Sequence, residues 1–156
     1  MIFIPAGDPW QKGSTVRANA VERAGMVSRA IRSDPRFEIS MREVDRQGPT
    51  FTIDTVREFQ RENPGEEFLL MIGSDAFNGI RTWREYEELL KLVDLVVAIR
   101  PGQALEEIPG AQVRTINSEM FDISSTQIRQ AVRSGAELSA FVPEEIIEEV
   151  RRIYGA

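Results

Sequence analysis

The run Phe68-Leu69-Leu70-Met71-Ile72 constrains this chain more than any other segment. Five consecutive apolar residues leave a strand with no face to give to water. The run therefore reads as the central strand of a parallel sheet covered by helices on both sides. Leu95-Val96-Val97-Ala98-Ile99 has the same character, and both runs end in glycine-containing turns, Gly73-Ser74-Asp75 and Arg100-Pro101-Gly102. Ile2-Phe3-Ile4 is a shorter strand stopped by Pro5 and Gly7, and Phe37 to Ser40 and Val113 to Ile116 complete the strand set. Between the strands lie segments with helical spacing. Val16, Ala20, Ala24, Val27 and Ile31 recur at three and four in a helix opened by Gly13 and Ser14 and ended by Asp34-Pro35. A second helix starts at Thr52 or Asp54, carries Val56 and Phe59, and closes at Asn63-Pro64-Gly65. Trp83 to Val93 reads as a third, with Tyr86, Leu89, Leu90 and Val93 on its apolar side. Ser125 to Val132, stopping near Gly135, and a stretch from Pro143 that packs Ile146, Ile147, Val150 and Ile153 inward are the last two. This alternation predicts an α/β fold with a doubly wound parallel sheet, as a single domain over residues 1–156. Ligands of such sheets bind beyond the carboxyl ends of the strands, where Ala6-Gly7, Gly73-Ser74-Asp75 and Arg100-Pro101-Gly102 fall.

Composition narrows the chemistry. The 156 residues contain no cysteine and no histidine, so disulfides, thiolate or imidazole metal ligands, cysteine nucleophiles and histidine-based triads cannot be built from them. Reactions must rely on carboxylates, hydroxyls, Lys, Arg and backbone N–H groups. A net charge of −6, from 19 basic and 25 acidic residues, argues against a nucleic-acid partner, although a local phosphate site needs only a few basic groups and a helix end. No apolar run approaches the ~20 residues that span a bilayer, and Met1 to Pro5 lacks the basic and long apolar regions of a secretory signal. A cytoplasmic protein with no membrane partner is expected.

Ile123-Ser124-Ser125-Thr126-Gln127-Ile128-Arg129 is the segment richest in chemistry. Three hydroxyl residues stand where a helix begins, beside unpaired N–H groups and the positive end of the helix dipole. Arg129 lies four residues beyond Ser125 and three beyond Thr126, so it shares their helix face. Guanidinium, hydroxyls and N–H groups can then converge on a polyphosphate; the plainer alternative is a serine N-cap with a solvated arginine. At Gly73-Ser74-Asp75, glycine would let a nucleotide approach the backbone and Asp75 could accept from ribose hydroxyls, or the pair could simply turn the chain and cap a helix. Trp83 could stack on a base or pyridine ring or serve the core. Thr50, Thr52 and Asp54 suit a helix cap, and Thr52 could also donate to a carboxylate. Lys12, in the loop Pro9-Trp10-Gln11-Lys12, means little alone. Arg17, Arg23, Arg29, Arg32 and Arg36 read as a solvated face.

Taken in order, these blocks resemble the bacterial nicotinate-nucleotide adenylyltransferases of the HIGH-type nucleotidyltransferase superfamily. The resemblance runs through Phe3 to Gly7 with Pro9 to Lys12, Asp34-Pro35-Arg36-Phe37, and Gly48-Pro49-Thr50-Phe51-Thr52-Ile53-Asp54-Thr55. It continues through Ile72 to Asp75, Thr82-Trp83, Arg100-Pro101-Gly102 and Ile123 to Thr126. ISSTxxR is shared by several adenylyl- and cytidylyltransferases; the TFTxDT block joined to GSD and TW points to the nicotinate branch. The resemblance implies a Rossmann-like nucleotidyltransferase fold. It also implies attack of a mononucleotide phosphate on the α-phosphorus of ATP, with Mg²⁺ accompanying ATP, to give deamido-NAD and pyrophosphate in NAD biosynthesis. It assigns Ser124, Ser125, Thr126 and Arg129 to the ATP phosphates. Gly73, Asp75, Arg100 and Ile123 fall to ATP binding, Thr52 and Trp83 to the nicotinate carboxylate and ring, and Lys12 to a place near the phosphates; no residue is assigned to a metal.

The family also opens with a strand and a G-T-F-D-P-x-H-x-G-H segment whose two histidines touch the phosphates, and this sequence starts at what resembles the second strand. A sheet lacking its first strand, with unpaired backbone edges open to a second copy in a homo-oligomer, is therefore expected. Two alternatives stand beside the enzyme: a truncated or inactive nucleotide-binding module of the same family, and another adenylyltransferase such as the phosphopantetheine type. Trp83 and the Thr50 to Thr55 block count against the last.

Overall fold

A computed structural model describes residues 1–8, 18–117 and 123–155. They group into two compact units, Met1–Thr50 with Ile123–Ala156, and Phe51–Asp122. Every strand pair in both is parallel, as the uninterrupted apolar runs require.

In the first unit β1 (Ile2–Phe3) pairs with β2 (Glu38–Ile39), and α1 (Ala20–Ile31) makes the crossover between them. The helix starts later than the apolar spacing suggested. Asn19 caps it, accepting from the Glu22 N–H at 2.9 Å while the Glu22 carboxylate accepts from the Asn19 N–H at 3.0 Å, and this reciprocal cap fixes the first turn. Gly13, Ser14 and Val16 lie outside the described residues. A short helix the spacing did not reveal, α2 (Arg42–Asp45), follows β2. The unit is completed by α6 (Ser125–Ser134), closed by Gly135 at φ 69°, a 3₁₀ turn over Glu144–Ile146, and α7 (Ile147–Tyr154). Ala131, Leu138, Ile146 and Val150 form its core, with Met26 and Ala30 of α1 packed against them. Arg29 pairs with Glu149, and Arg152 with Glu22 at 3.2 Å, so α1 and α7 are also joined by charge.

In the second unit α3 (Thr52–Glu62) precedes β3 (Leu69–Gly73), and α4 (Ser74–Asn78), a 3₁₀ turn over Ile80–Thr82 and α5 (Tyr86–Leu92) lead to β4 (Asp94–Ile99) and then β5 (Val113–Asn117). The strand order is β3-β4-β5. Ile53, Val56, Phe77, Ile80, Leu89, Leu90, Val93, Leu95, Val97 and Ile108 are the buried core. Three expectations change in this unit. The central strand is β4, where Leu95 and Val97 are fully buried; β3 lies at the edge, with Leu69 54% and Met71 46% exposed. An apolar run records a preference for burial, whereas pairing decides which strand receives it. The helix expected from Trp83 begins only at Tyr86, because Trp83 is extended and Glu85 sits in the left-handed region at φ 51°, two conformations a helix cannot contain. At the start of α3 no side chain caps: Phe51 is the N-cap, Thr50 is buried before it, and Asp54 faces Arg84 at 3.7 Å.

Among the described residues β1 pairs only with β2, and β3 only with β4. No helix among the described residues is long and apolar enough to cross a membrane.

Candidate active site

The glycine that ends β3 is not demanded by the fold. Gly73 has φ −80° and ψ 160°, which any residue adopts, and a Cβ built there meets nothing within 4 Å. The missing side chain leaves open space directly beside Ser74 and Asp75. Gly7 is a contrast, since a Cβ there would run into the Glu43 carbonyl oxygen, so the close passage of two backbone segments requires glycine.

Beyond Gly73, the turns after β3 and β4 are drawn together. Arg100 Nη1 donates to Asp75 Oδ2 at 2.6 Å, and the Arg100 N–H donates to the buried Ser74 hydroxyl at 3.3 Å. Gln103 Nε2 donates to Asp75 Oδ1 at 2.6 Å, and the Ser74 hydroxyl donates to Gln103 Oε1. Gly73, Asp75 and Arg100, three of the residues assigned to the nucleotide, thus share one cluster. Asp75 does not cap α4; its carboxylate is engaged with side chains from the next strand's turn.

Thr52 and Trp83 also come from neighbouring surroundings. Arg84, next to Trp83, lies over the ring of Phe51, next to Thr52, at 4.8 Å, and Arg57 donates to Glu85 at 2.7 Å. The Arg57 hydrogen bond is the main reason the Glu85 carboxyl is held below the usual carboxylate range, with the charges of Arg57 and Arg84 adding to it. Trp83 packs against the core of its unit while remaining partly exposed, so the structural role weighed for it is real. Thr52 is the first residue of α3, half-buried.

In the first unit, the start of α6 matches the helix-start geometry. Ser124 is the N-cap: its hydroxyl accepts from the Gln127 N–H at 3.2 Å, and Gln127 Oε1 accepts from the Ser124 N–H at 2.6 Å. Ser125 and Thr126 are exposed, with first-turn N–H groups that the helix itself cannot satisfy. Arg129 Nη2 donates to the Thr126 hydroxyl at 3.1 Å, so the two meet on one face, and no acidic partner of Arg129 is found among the described residues. Ile123, just before the cap, is half-buried. Ser124 is thus the helix cap that the plainer reading supposed, and the side chains of Ser125, Thr126 and Arg129 take no part in that cap. Lys12 lies outside the described residues.

Some contributors were not identified from sequence. Gln127 was signalled by the S-x-x-Q spacing of a capping box. Gln103 carried no signal, because its partners are 28 and 29 residues away. Arg23 was read as one of a solvated series, yet its guanidinium reaches the carbonyls of Ala18 at 2.7 Å, of Gly7 at 2.9 Å and of Ala6, pinning the segment that follows β1.

Comparison with known proteins places the chain in a family. Residues 1–131 match the cytidylyltransferase-like family. A probable nicotinate-nucleotide adenylyltransferase of Leifsonia xyli subsp. xyli is 37% identical over 154 residues, covering 97% of this chain and 76% of that protein. One from Streptomyces coelicolor is 34% identical over 158 residues, with 99% and 84% covered. Among solved structures, Plasmodium falciparum nicotinic acid mononucleotide adenylyltransferase complexed with APC superposes with a TM-score of 0.68 at 17% identity, over 86% of this chain and 74% of that one, which establishes the Rossmann-like nucleotidyltransferase fold. Nucleotidyltransferases of this kind generally use a divalent metal with ATP. The expectation of a transferase of NAD biosynthesis agrees with the relatives. The chain belongs to the cytidylyltransferase-like family and, within it, to the nicotinate-nucleotide adenylyltransferases.

Proposed function

We propose that this chain transfers the adenylyl group of ATP to nicotinate mononucleotide. A phosphate oxygen of the mononucleotide attacks the α-phosphorus of ATP in line. The new P–O–P bond makes deamido-NAD, the bond from the α-phosphorus to the bridging oxygen breaks, and pyrophosphate leaves with the electron pair. The observation that carries the reading is the cluster at the end of β3: a glycine whose bareness the fold does not use, beside a carboxylate held in place by Arg100 and Gln103. Gly73 lets adenosine approach, and Asp75 accepts from its ribose. The Ser125 and Thr126 N–H groups, the hydroxyls from Ser124 to Thr126, and Arg129 serve the polyphosphate, with Ile123 bordering them; the family resemblance gives Lys12 a role toward the same phosphates. Thr52 donates to the nicotinate carboxylate and Trp83 supports the ring. With no covalent intermediate, the rate enhancement comes from positioning and charge stabilisation. Mg²⁺ accompanies ATP as MgATP and neutralises the polyphosphate. The two units act as one nucleotidyltransferase domain, in the cytoplasm, where ATP is supplied.

The test is pyrophosphate release from ATP with Mg²⁺ and either nicotinate or nicotinamide mononucleotide, together with ATP affinity. Release that requires a mononucleotide supports the reading. ATP binding without release with either one makes the chain a nucleotide-binding module. Arg129→Ala should weaken ATP binding by roughly 1.5–3 kcal/mol, the worth of charge-assisted hydrogen bonds; unchanged affinity removes Arg129 from the site.

A further inference from the structure

Gln103 stands at the end of the turn after β4, immediately past Gly102, whose φ of 75° turns the chain back toward α4. The segment that follows is tied along α4. Asn78 Nδ2 donates to the Ala104 carbonyl at 3.1 Å, the Glu106 N–H donates to Asn78 Oδ1 at 3.0 Å, and Arg81 Nη2 donates to the Glu107 carbonyl at 2.9 Å. Gln103 is therefore held from both sides in sequence, and its amide faces the two residues that begin α4.

The chemistry of those two residues fixes which way the amide points. With Nε2 toward Asp75 and Oε1 toward Ser74, it donates to a carboxylate and accepts from a hydroxyl; reversed, its carbonyl oxygen would oppose a carboxylate. Ser74 is fully buried, and its oxygen also accepts from the Arg100 N–H, so its hydrogen is directed at Gln103. The four residues form a closed ring, Ser74 to Gln103 to Asp75 to Arg100 and back to Ser74. A carboxylate has about four acceptor positions. Gln103 takes one on Oδ1 and Arg100 one on Oδ2, and the Asp75 side chain is still 54% exposed, so each oxygen keeps capacity for a ligand.

We propose that Gln103 is a positioning residue for the nucleotide: it fixes the Asp75 carboxylate so that its remaining lone pairs accept from the ribose hydroxyls of ATP. This rests on the reading of Asp75 as the ribose acceptor. Asparagine is one methylene too short to span both partners, and glutamate would set a second negative charge against Asp75. Methionine keeps the length of the side chain and loses both hydrogen bonds. A prepositioned acceptor binds better because less side-chain freedom is lost when the ligand arrives.

Binding of ATP and of 2′,3′-dideoxy-ATP, each with Mg²⁺, should be titrated against the full chain, Gln103→Met, Gln103→Glu and Asp75→Asn. The full chain should prefer ATP over the dideoxy analogue. Asp75→Asn should remove most of that preference, and Gln103→Met should reduce it by about fivefold, with dideoxy-ATP affinity unchanged. In Gln103→Glu the preference should be lost at neutral pH and partly return as the introduced carboxyl is protonated. If the full chain and Asp75→Asn discriminate as expected but Gln103→Met keeps the full preference, Gln103 does not position Asp75, and the ribose reading stands. Equal weakening of both nucleotides overturns the inference in favour of a purely structural role. Equal affinity of the full chain for both nucleotides overturns the ribose reading itself, and the Gln103 role with it.

Discussion

The starts of α6 and α4 are built by opposite means. At α6 the side-chain hydrogen bonds run within six residues: Ser124 with Gln127, and Thr126 with Arg129. At α4 no side chain caps the helix, and Ser74 and Asp75 depend on Arg100 and Gln103, 25 to 29 residues further along the chain. A short-range site forms wherever its helix forms. A long-range site exists only after two strands have paired and brought their turns together, which β3 and β4 do from Leu69 opposite Asp94 to Gly73 opposite Ala98. The first kind can be read from spacing; the second is a product of tertiary structure.

The contrast can be broken in three ways, beginning with the largest effect. Leu95→Ala empties a fully buried position on β4 and should cost about 2–5 kcal/mol of unfolding free energy in a urea titration. If the α4 cluster depends on strand pairing, preference for ATP over its dideoxy analogue should fall in the surviving folded protein. Retained preference would show the cluster to be independent of the core. Ser124→Ala removes the cap of α6 and should cost about 1 kcal/mol of stability. That change should leave the ribose preference at Asp75 untouched, and a loss of preference would mean that the two helix starts are coupled.

The smallest effect concerns pH. The Glu85 carboxyl is held low chiefly by its hydrogen bond from Arg57, and the Asp34 carboxyl by its hydrogen bonds from Arg36. A carboxyl whose folded value is depressed stabilises fully above its unfolded value, near 4. The contribution is lost as pH falls through the lower folded value. The thermal midpoint should thus drop on acidification below about pH 4, and Glu85→Gln should show a shallower drop. Because Glu85 and Arg57 are 28 residues apart and Asp34 and Arg36 only two, Asp34→Asn should change the slope less. The reverse ranking would mean that sequence separation does not decide how much such a pair contributes.

Most strands and helices were legible because each repeats a physical signal along the chain. The apolar runs at β3 and β4, the three-and-four spacing of α3 and α7, and Gly135 after α6 all needed only neighbours within a few residues. Trp83 shows where such a signal misleads: the apolar spacing from 83 to 93 is continuous, but the left-handed Glu85 interrupts the helix, and backbone conformation leaves no trace in hydrophobic periodicity. Arg23 fails for another reason. A long cation on a helix looks alike whether it meets water or three backbone carbonyls, and the difference lies in how α1 sits against the segment after β1.

By itself, then, the sequence determined that this chain forms parallel strands with helical crossovers, that it has no thiol or imidazole chemistry, and that a hydroxyl-rich helix start begins at Ser124. These follow from composition and from interactions over short spans, which a linear pattern records. Tertiary structure alone decided that β4 rather than β3 is the buried strand of its sheet, that Gly73 is left bare, and that Arg100 and Gln103 share the carboxylate of Asp75. The reason is that strand pairing and the convergence of separate turns join residues far apart in the chain, and no local pattern fixes which of them will meet.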